Sequence, residues 1–433
     1  MTRDKLYEAA FRYKKTGLWK KLWDTEIFAV KLKKGKIGYV TIMGANGEYC
    51  ALGLYIGYEG LKSLINVAKM EETVDEFKKH EISVGQNCLQ VALSCKEDLL
   101  PEELEEVREY AKQNSIRLSG KNAYPQFIKN EPGCFPWNLT SEEDMEYLYA
   151  AMEAAILLSE ELKKKEPLML GIDCIGSGTK QVVLFEVKQG KLLSDGFAEI
   201  PELSEEHYEY VKVENEDEID KMKKFPKKGI WEAEVIMMMK PVQINSEEAP
   251  YFPLLALMVD SKSYSIYPVT LVKDLVKEAS KILTRFVTVC QDISHCPKLI
   301  RCRDERTYAF FKDICEKSGI KICKYEDELP ALDFAENELL KQMSVEKNNS
   351  VDDDILFDSL DDEIEQKGVI DNEELKTKLS RLINTILALD DNALQFVHIS
   401  EGMMNELKLL LKFNVLPKQI ASELAKKLKK LSM

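Results

Sequence analysis

The chain has only four histidines among 433 residues: His80, His207, His295 and His398. None stands in a serine or cysteine context of the kind a nucleophilic triad needs, so that chemistry has no visible base. No two of the ten cysteines are spaced C-x-x-C, which excludes the common zinc knuckle and the redox dithiol. The densest group is Cys290, His295, Cys296 and Cys302, and its spacing suits a single tetrahedral site poorly. No metal centre is expected there, and the cysteines read as reduced, small hydrophobes. Long apolar runs are missing too. None approaches the ~18–20 residues that span a bilayer, and Met1-Thr2-Arg3-Asp4-Lys5 opens no apolar signal region. A cytoplasmic protein without membrane contact is expected. Positive charge is in deficit, with 60 Lys+Arg against 75 Asp+Glu and a net charge of -15. That balance argues against binding nucleic acid by bulk charge.

Core-forming material is plentiful, at 45% hydrophobic and 9% aromatic residues, so wholesale disorder is excluded. The length calls for several domains. The acidity is local. Residues 198–220 hold ten acids and one lysine, and residues 344–371 hold ten acids and two lysines. The rest of the chain is close to neutral, which leaves a nucleic-acid site in the folded core open.

The pattern along the chain predicts a multi-domain α+β protein. An N-terminal α+β domain covers 1–165, and a middle domain with a mixed α/β sheet covers 166–343. An acidic linker, 344–371, leads to a C-terminal helical region, 372–433. In the first block, Leu6, Ala9, Ala10 and Tyr13 share one helical face over 3–14. Strands are predicted at 27–32, 37–43 and 49–55, joined by glycine-containing turns. A helix follows at 58–67, then a strand at 90–95 and a helix from Pro101. Residues 124–137, with three prolines, read as an ordered aromatic loop. Thr140-x-x-Glu143 is a capping-box pattern before a helix carrying Met145, Leu148, Tyr149, Met152 and Ile156. In the second block, strands are predicted at 168–174, 181–188, 191–198, 231–243, 254–259, 264–270, 299–302 and 320–323. Helices are predicted around 275–286, from the cap Asp304 to Lys317, and at 331–343. The β-α-β-α order at its end implies a small parallel sheet with a right-handed crossover. The amphipathic helices after the acidic tether suit docking to a protein partner or to a second copy of the chain.

Two motifs carry candidate chemistry. The first is Gly171-Ile172-Asp173-Cys174-Ile175-Gly176-Ser177-Gly178-Thr179-Lys180. It fails as a Walker loop because Ser177 replaces the lysine, and it fails as a dinucleotide fingerprint because Gln181 replaces the third glycine. It resembles the first phosphate loop of the sugar-kinase, heat-shock-ATPase and actin superfamily. That resemblance implies phosphate contacts from Asp173, Gly176, Gly178 and Thr179, although one extra residue separates Asp173 from Gly176. The bland alternative is a glycine-rich hairpin turn.

The second motif is the strand and helix order of 231–343, which resembles the ribonuclease-H-like fold. In that family, carboxylates on the first and fourth strands and nearby helices bind two Mg²⁺ for phosphodiester cleavage. The resemblance points to Asp304 after the fourth strand and to Asp333 or Glu336 on the last helix. Asp260 at the end of the second strand completes the set. The first strand offers Glu232 or Glu234 in place of a central aspartate. Asp304 also serves as a helix cap and Asp260 as a turn residue.

Leu6-Tyr7-Glu8-Ala9-Ala10, Leu18 to Asp24, Ile37-Gly38-Tyr39, Met43-Gly44, Tyr124-Pro125-Gln126-Phe127 and Pro136-Trp137 together resemble an uncharacterised family of bacterial proteins common in Gram-positive, clostridia-type anaerobes. The resemblance implies a bacterial origin and carries no catalytic residues. With no complete catalytic constellation visible, the leading expectation is a non-enzymatic binding or interaction protein. The alternative is a phosphate-handling enzyme, either a divergent metal-dependent nuclease or a nucleotide binder at 171–180. No cofactor is specified by either reading.

Overall fold

The computed structural model describes residues 1–341 except 48, 176–179, 204–207, 209, 214–215, 246–247, 268–269 and 326–327, together with 424 and 426–428. The acidic linker and nearly all of the C-terminal helical region, including the docking surface expected there, lie outside the described residues. The chain forms two compact units, Met1–Leu329 and Pro330–Met433. Residues 330–341 of the second unit are helical. Among the described residues, no helix is long and apolar enough to cross a membrane. The fold is α+β, as the sequence pattern predicts.

The first unit is built from eight helices and fourteen strands among its described residues. Their order is α1 Arg3–Thr16, β1 Glu26–Lys31, β2 Ile37–Met43, β3 Cys50–Ile56, α2 Gly57–Ala68, α3 Glu76–Val84, β4 Cys88–Ser94 and α4 Pro101–Gln113. There follow β5 Tyr124–Asn130, β6 Trp137–Asn138, α5 Glu142–Glu161, β7 Asp173–Cys174, β8 Gln181–Lys188 and β9 Lys191–Glu199. The chain continues through α6 Glu216–Lys224, β10 Ile230–Met237, β11 Leu254–Asp260, β12 Leu271–Val272, α7 Ala279–Asp292, β13 Leu299–Cys302, α8 Glu305–Ser318 and β14 Lys321–Lys324.

These strands make two sheets. The first has nine strands in the order β6-β5-β4-β3-β2-β1-β8-β9, with β7 on β1. Its antiparallel meander buries one face against α1 and α5. Leu6, Tyr13, Phe28, Ile42, Leu148 and Met152 are fully enclosed in that core. Truncating one of these leucines to alanine costs about 2–5 kcal/mol. The opposite face carries α2, with Leu61, Leu64 and Ile65 packed on Tyr39 and Tyr55. Gly60 makes that approach possible. A Cβ there would sit 2.8 Å from the carbonyl carbon of Tyr55 and 3.3 Å from the carbonyl oxygen of Asn87.

β7, β8 and β9 were expected to open the second domain, yet they complete the first sheet. β8 pairs parallel with β1 at Ala29 and Val30, and β9 pairs with β8. The boundary drawn at residue 165 therefore falls inside the first lobe. The stretch 167–170 is a 3-10 turn, which shortens the predicted strand to two residues. Residues 124–130 are a strand despite Pro125, paired with β4 on one side and in part with β6 on the other. The capping residue of α5 is Ser141, whose hydroxyl accepts from the Asp144 amide at 3.3 Å. Thr140 was expected in that role.

The second sheet has five strands in the order β12-β11-β10-β13-β14. β10, β11 and β12 are antiparallel neighbours, whereas β13 and β14 run parallel to β10. Numbered within this lobe the order is 3-2-1-4-5, as the ribonuclease-H-like reading requires. Helices α7 and α8 supply the parallel crossovers. They cover one face, where Trp231, Ala233 and Val235 meet Phe286, Phe310 and Phe311. Trp231 lies edge-on to Phe286 at a centroid distance of 5.8 Å. Cys290, Cys296, Cys302 and Cys315 are free and buried in this core.

Candidate functional site

Side chains alternate across a strand, so β10 has two characters. Trp231, Ala233 and Val235 face the helix-covered core. Glu232 and Glu234 face the other way, and each is only 2% exposed. The parallel register sets Glu232 opposite Arg301 and Ala233 opposite Cys302 on β13. The next residue, Arg303, places its Nε 2.6 Å from Glu234 Oε2. The buried central-strand carboxylate is therefore ion-paired with a half-buried arginine. Arg301 places its guanidinium over the Tyr325 ring at 4.4 Å.

Asp304 follows directly and caps α8. Its Oδ1 accepts from the Thr307 amide at 2.8 Å, while the Thr307 hydroxyl accepts from the Val235 amide at 2.9 Å. The start of α8 is thereby fixed to the end of β10. Arg306, in the first turn of α8, donates to the Val235 carbonyl and to both oxygens of Glu81 on α3, the second at 3.1 Å. Burial works against the charge on Arg306, but Glu81 outweighs it and raises the guanidinium pKa.

Helix α3 is the element that joins the lobes. His80 Nε2 donates to the Met238 carbonyl at 3.2 Å, and the ring lies edge-on to Phe252 at 4.9 Å. Around the corner, the Phe252 amide donates to the Gly133 carbonyl at 2.8 Å and the Phe135 amide to the Pro250 carbonyl at 2.7 Å. These contacts frame a cleft of about 710 Å³. Its walls are the polar stripe Glu59, Lys62, Ser63 and Asn66 on α2 and Lys78, Glu81 and Ile82 on α3. Asp304 and Arg306 line it from α8, and Tyr208 lies on its rim. A smaller cavity of about 390 Å³ adjoins it, lined by Met237, Tyr251, Phe252 and Leu275. The main cleft presents ammonium, amide, hydroxyl and carboxylate groups together, a lining suited to a polar ligand that carries charge.

Of the carboxylates expected to bind two metals, the structure sets Asp260 and Asp304 at opposite ends of the sheet. Asp260 pairs with Trp231 near the start of β10, whereas Asp304 lies beyond the end of β13. The antiparallel turn between β10 and β11 dictates this, because the end of β11 must return to the start of β10. Asp260 is engaged locally, accepting from the Lys262 and Ser263 amides at 3.0 and 2.8 Å and from the Ser263 hydroxyl at 3.0 Å. Burial works against its charge, but these hydrogen bonds outweigh it and hold the carboxyl below its usual range. Asp333 lies in the second unit, on helix 330–341. Among the described residues, no group of three or more His, Cys, Asp or Glu is arranged to hold a metal. The donor set around Glu234 and Asp304 does not fit a two-metal centre, because Arg303 already compensates Glu234.

In the proposed phosphate loop, Asp173 is exposed on β7, and its Oδ1 accepts from the Cys174 amide at 2.7 Å. Gly176, Gly178 and Thr179 lie outside the described residues. β7 pairs antiparallel with β1. β7 pairs with the start of β1 and β8 with its middle, and among the described residues the two do not pair with each other as the expected hairpin would. The residues missed in sequence are those of α3. A usable signal for the ion pair was present, since Glu232-x-Glu234 and Arg301-x-Arg303 alternate in step on two strands that pair.

No curated protein matches the chain significantly. Solved structures to which it is similar include the HTLV-2 integrase catalytic core domain in complex with magnesium, in its dimeric form. The match has 18% identity and a TM-score of 0.20 over 29% of this chain and 79% of that one. Another is a simian T-cell lymphotropic virus intasome in complex with the PP2A regulatory subunit B56 gamma, at 16% identity and a TM-score of 0.21 over 30% of this chain and 46% of that one. No functional residue is carried over from either. Residues 4–173 match a domain of unknown function (DUF7309), and residues 218–340 match a second domain of unknown function (DUF6930), one in each sheet lobe.

Proposed function

We propose that this chain is a non-enzymatic binding protein whose ligand site is the cleft walled by α2, α3 and the start of α8. The observation that carries this reading is the pairing of buried Glu234 with Arg303 at 2.6 Å. It compensates the carboxylate that a nuclease of this topology needs for metal. The neighbouring Arg306 is likewise committed to Glu81 and to the Val235 carbonyl. What stays open at this end of the sheet is a polar cleft with Lys62, Lys78, Asn66 and Asp304 on its walls. Its ligand is a small molecule bearing both charge and hydrogen-bonding groups.

The test is a thermal melt of the full chain against amino acids, dipeptides, nucleotides and sugar phosphates at millimolar concentration. A ligand at ~100 times its Kd stabilises the folded state by about 2.7 kcal/mol. The expected result is a ligand that raises the Tm of the wild type and has no effect on a Lys78→Glu, Asn66→Leu variant. A panel without any shift, or shifts untouched by the double substitution, sinks the reading.

A further inference from the structure

The polar groups that line the main cleft divide into those already engaged and those left to meet a ligand. Arg306 and Glu81 hold each other, and Lys62 has a contact of its own. The Ser63 hydroxyl donates to the Gly60 carbonyl at 2.8 Å and accepts from the Asn87 backbone amide at 3.0 Å. Half-buried Lys78 is different. Its backbone amide donates to the Asp75 carboxylate at 3.0 Å in the first turn of α3, and its ammonium has no ion-pair partner among the described residues. Asp304 caps α8 through Oδ1, and its carboxylate has no ion-pair partner among the described residues. The side chains of Glu59, Asn66 and Asn87 likewise make no hydrogen bond or ion pair among the described residues.

The open groups are thus one ammonium, two carboxylates and two carboxamides. A ligand that is only anionic gains Lys78 but meets Glu59 and Asp304, and like charges placed together oppose binding. The N-terminus of α8 would otherwise attract a phosphate, yet the Asp304 carboxylate already stands there. A ligand that is only cationic leaves the half-buried Lys78 ammonium facing it. A molecule that carries both an ammonium and a carboxylate complements both signs. Asn66 and Asn87 each add donors and an acceptor, which suit a carboxylate or a peptide group. The cleft, at about 710 Å³, lies within the ~300–1,000 Å³ of small-molecule sites.

We infer that the cleft takes a zwitterion, an amino acid or a short peptide with both ends free, and turns away phosphorylated metabolites. Lys78 receives the carboxylate and Asp304 the ammonium. This ligand class rests on the cleft being a binding site, as proposed above, and goes beyond it by excluding the purely anionic ligands that the open cleft alone would admit.

The experiment is calorimetric titration of the full chain with alanine, lysine, alanylalanine and alanyllysine, with the N-acetylated and C-amidated forms of both dipeptides, and with ATP and glucose 6-phosphate. At least one free-ended compound is expected to bind saturably, and the comparison of amino acids with dipeptides identifies the source. Blocking either end is expected to weaken binding about tenfold or more, the worth of one charge-assisted hydrogen bond. Asp304→Asn keeps a capping side chain, so it is expected to melt like the wild type. It should weaken the free-ended ligand about tenfold and leave the N-acetylated form unchanged. Lys78→Gln should weaken the free-ended ligand by a similar factor and leave the amidated form unchanged. Saturable binding of ATP or glucose 6-phosphate that Lys78→Gln abolishes overturns the inference and keeps the cleft as a site. So does free-ended binding that blocking or Asp304→Asn leaves unchanged. Silence across the whole panel overturns the ligand class together with the cleft reading.

Discussion

Arg303 Nε lies 2.6 Å from Glu234 Oε2, on a strand whose carboxylate is 2% exposed. The pair turns the central strand of the five-stranded sheet into a structural element. Removing Arg303 leaves Glu234 buried without compensation, a change that costs about 3–5 kcal/mol where both partners are enclosed. Arg303→Ala should approach that range in urea denaturation, and Glu234→Ala should cost less, because Arg303 is 24% exposed and its charge reaches water. A Glu234→Leu, Arg303→Met double variant should recover most of the loss, because an apolar pair of similar volume avoids the desolvation penalty. Additive losses in the double variant would show that the two side chains do not act together.

Arg306 ties three elements: its own helix α8, the end of β10 through Val235, and α3 through Glu81. Arg306→Ala strands the Val235 carbonyl and Glu81. The expected cost is about 2–3 kcal/mol, less than for a fully enclosed pair because Glu81 is 32% exposed. Amide hydrogen exchange should show the loss concentrated in α3. A uniform loss of protection across both sheets would contradict this placement.

His80 makes the junction sensitive to pH. Burial lowers its pKa, and the hydrogen bond to Met238 opposes that only in part. The unfolded chain, with a histidine pKa near ~6.5, therefore takes up the proton first as pH falls. The stability that this site contributes is present in full above about pH 6.5 and is lost as pH falls through the lower folded value. Between pH 7.5 and pH 5, His80→Gln should lose less stability than the wild type. Equal losses in the two proteins would remove His80 from the account.

Gly60 sets the distance between α2 and the first sheet, and with it the width of the cleft. Gly60→Ala places a methyl group against the Tyr55 backbone, where nothing can rotate away. The helix must shift outward, at an expected cost of about 1–3 kcal/mol. Thermal melting checks the cost, and a Tm equal to that of the wild type would show that α2 has room to spare.

Much of the second sheet was legible because its signals are local. The apolar run Leu299 to Cys302, the cap Asp304 and the terminating Gly319, at φ 76, mark β13 and α8 within a residue. The nine-stranded sheet was harder to read because β8 pairs with β1 across about 150 positions, a contact that no local pattern encodes. Helix α3 escaped for a different reason. Phe77 is its one buried residue, so it lacks an apolar stripe and is held by packing and by the bonds of His80 and Glu81. Of the site residues, Asp304 and its capping role were readable. Asp260 was readable as a turn residue, but its distance from Asp304 follows only from the register of β10 and β11. The partner of Glu234 is visible in the alternating arginines of β13 once the parallel pairing is known.

Isothermal titration of the full chain with Mg²⁺ and with Mn²⁺ tests the central claim most directly. With Glu234 compensated by Arg303, the account predicts no saturable heat at millimolar metal. It also predicts none for Arg303→Met, because among the described residues no further carboxylates gather around Glu234 to complete a metal site. A saturating isotherm in the wild type that Glu234→Gln abolishes would contradict the account and restore the nuclease reading.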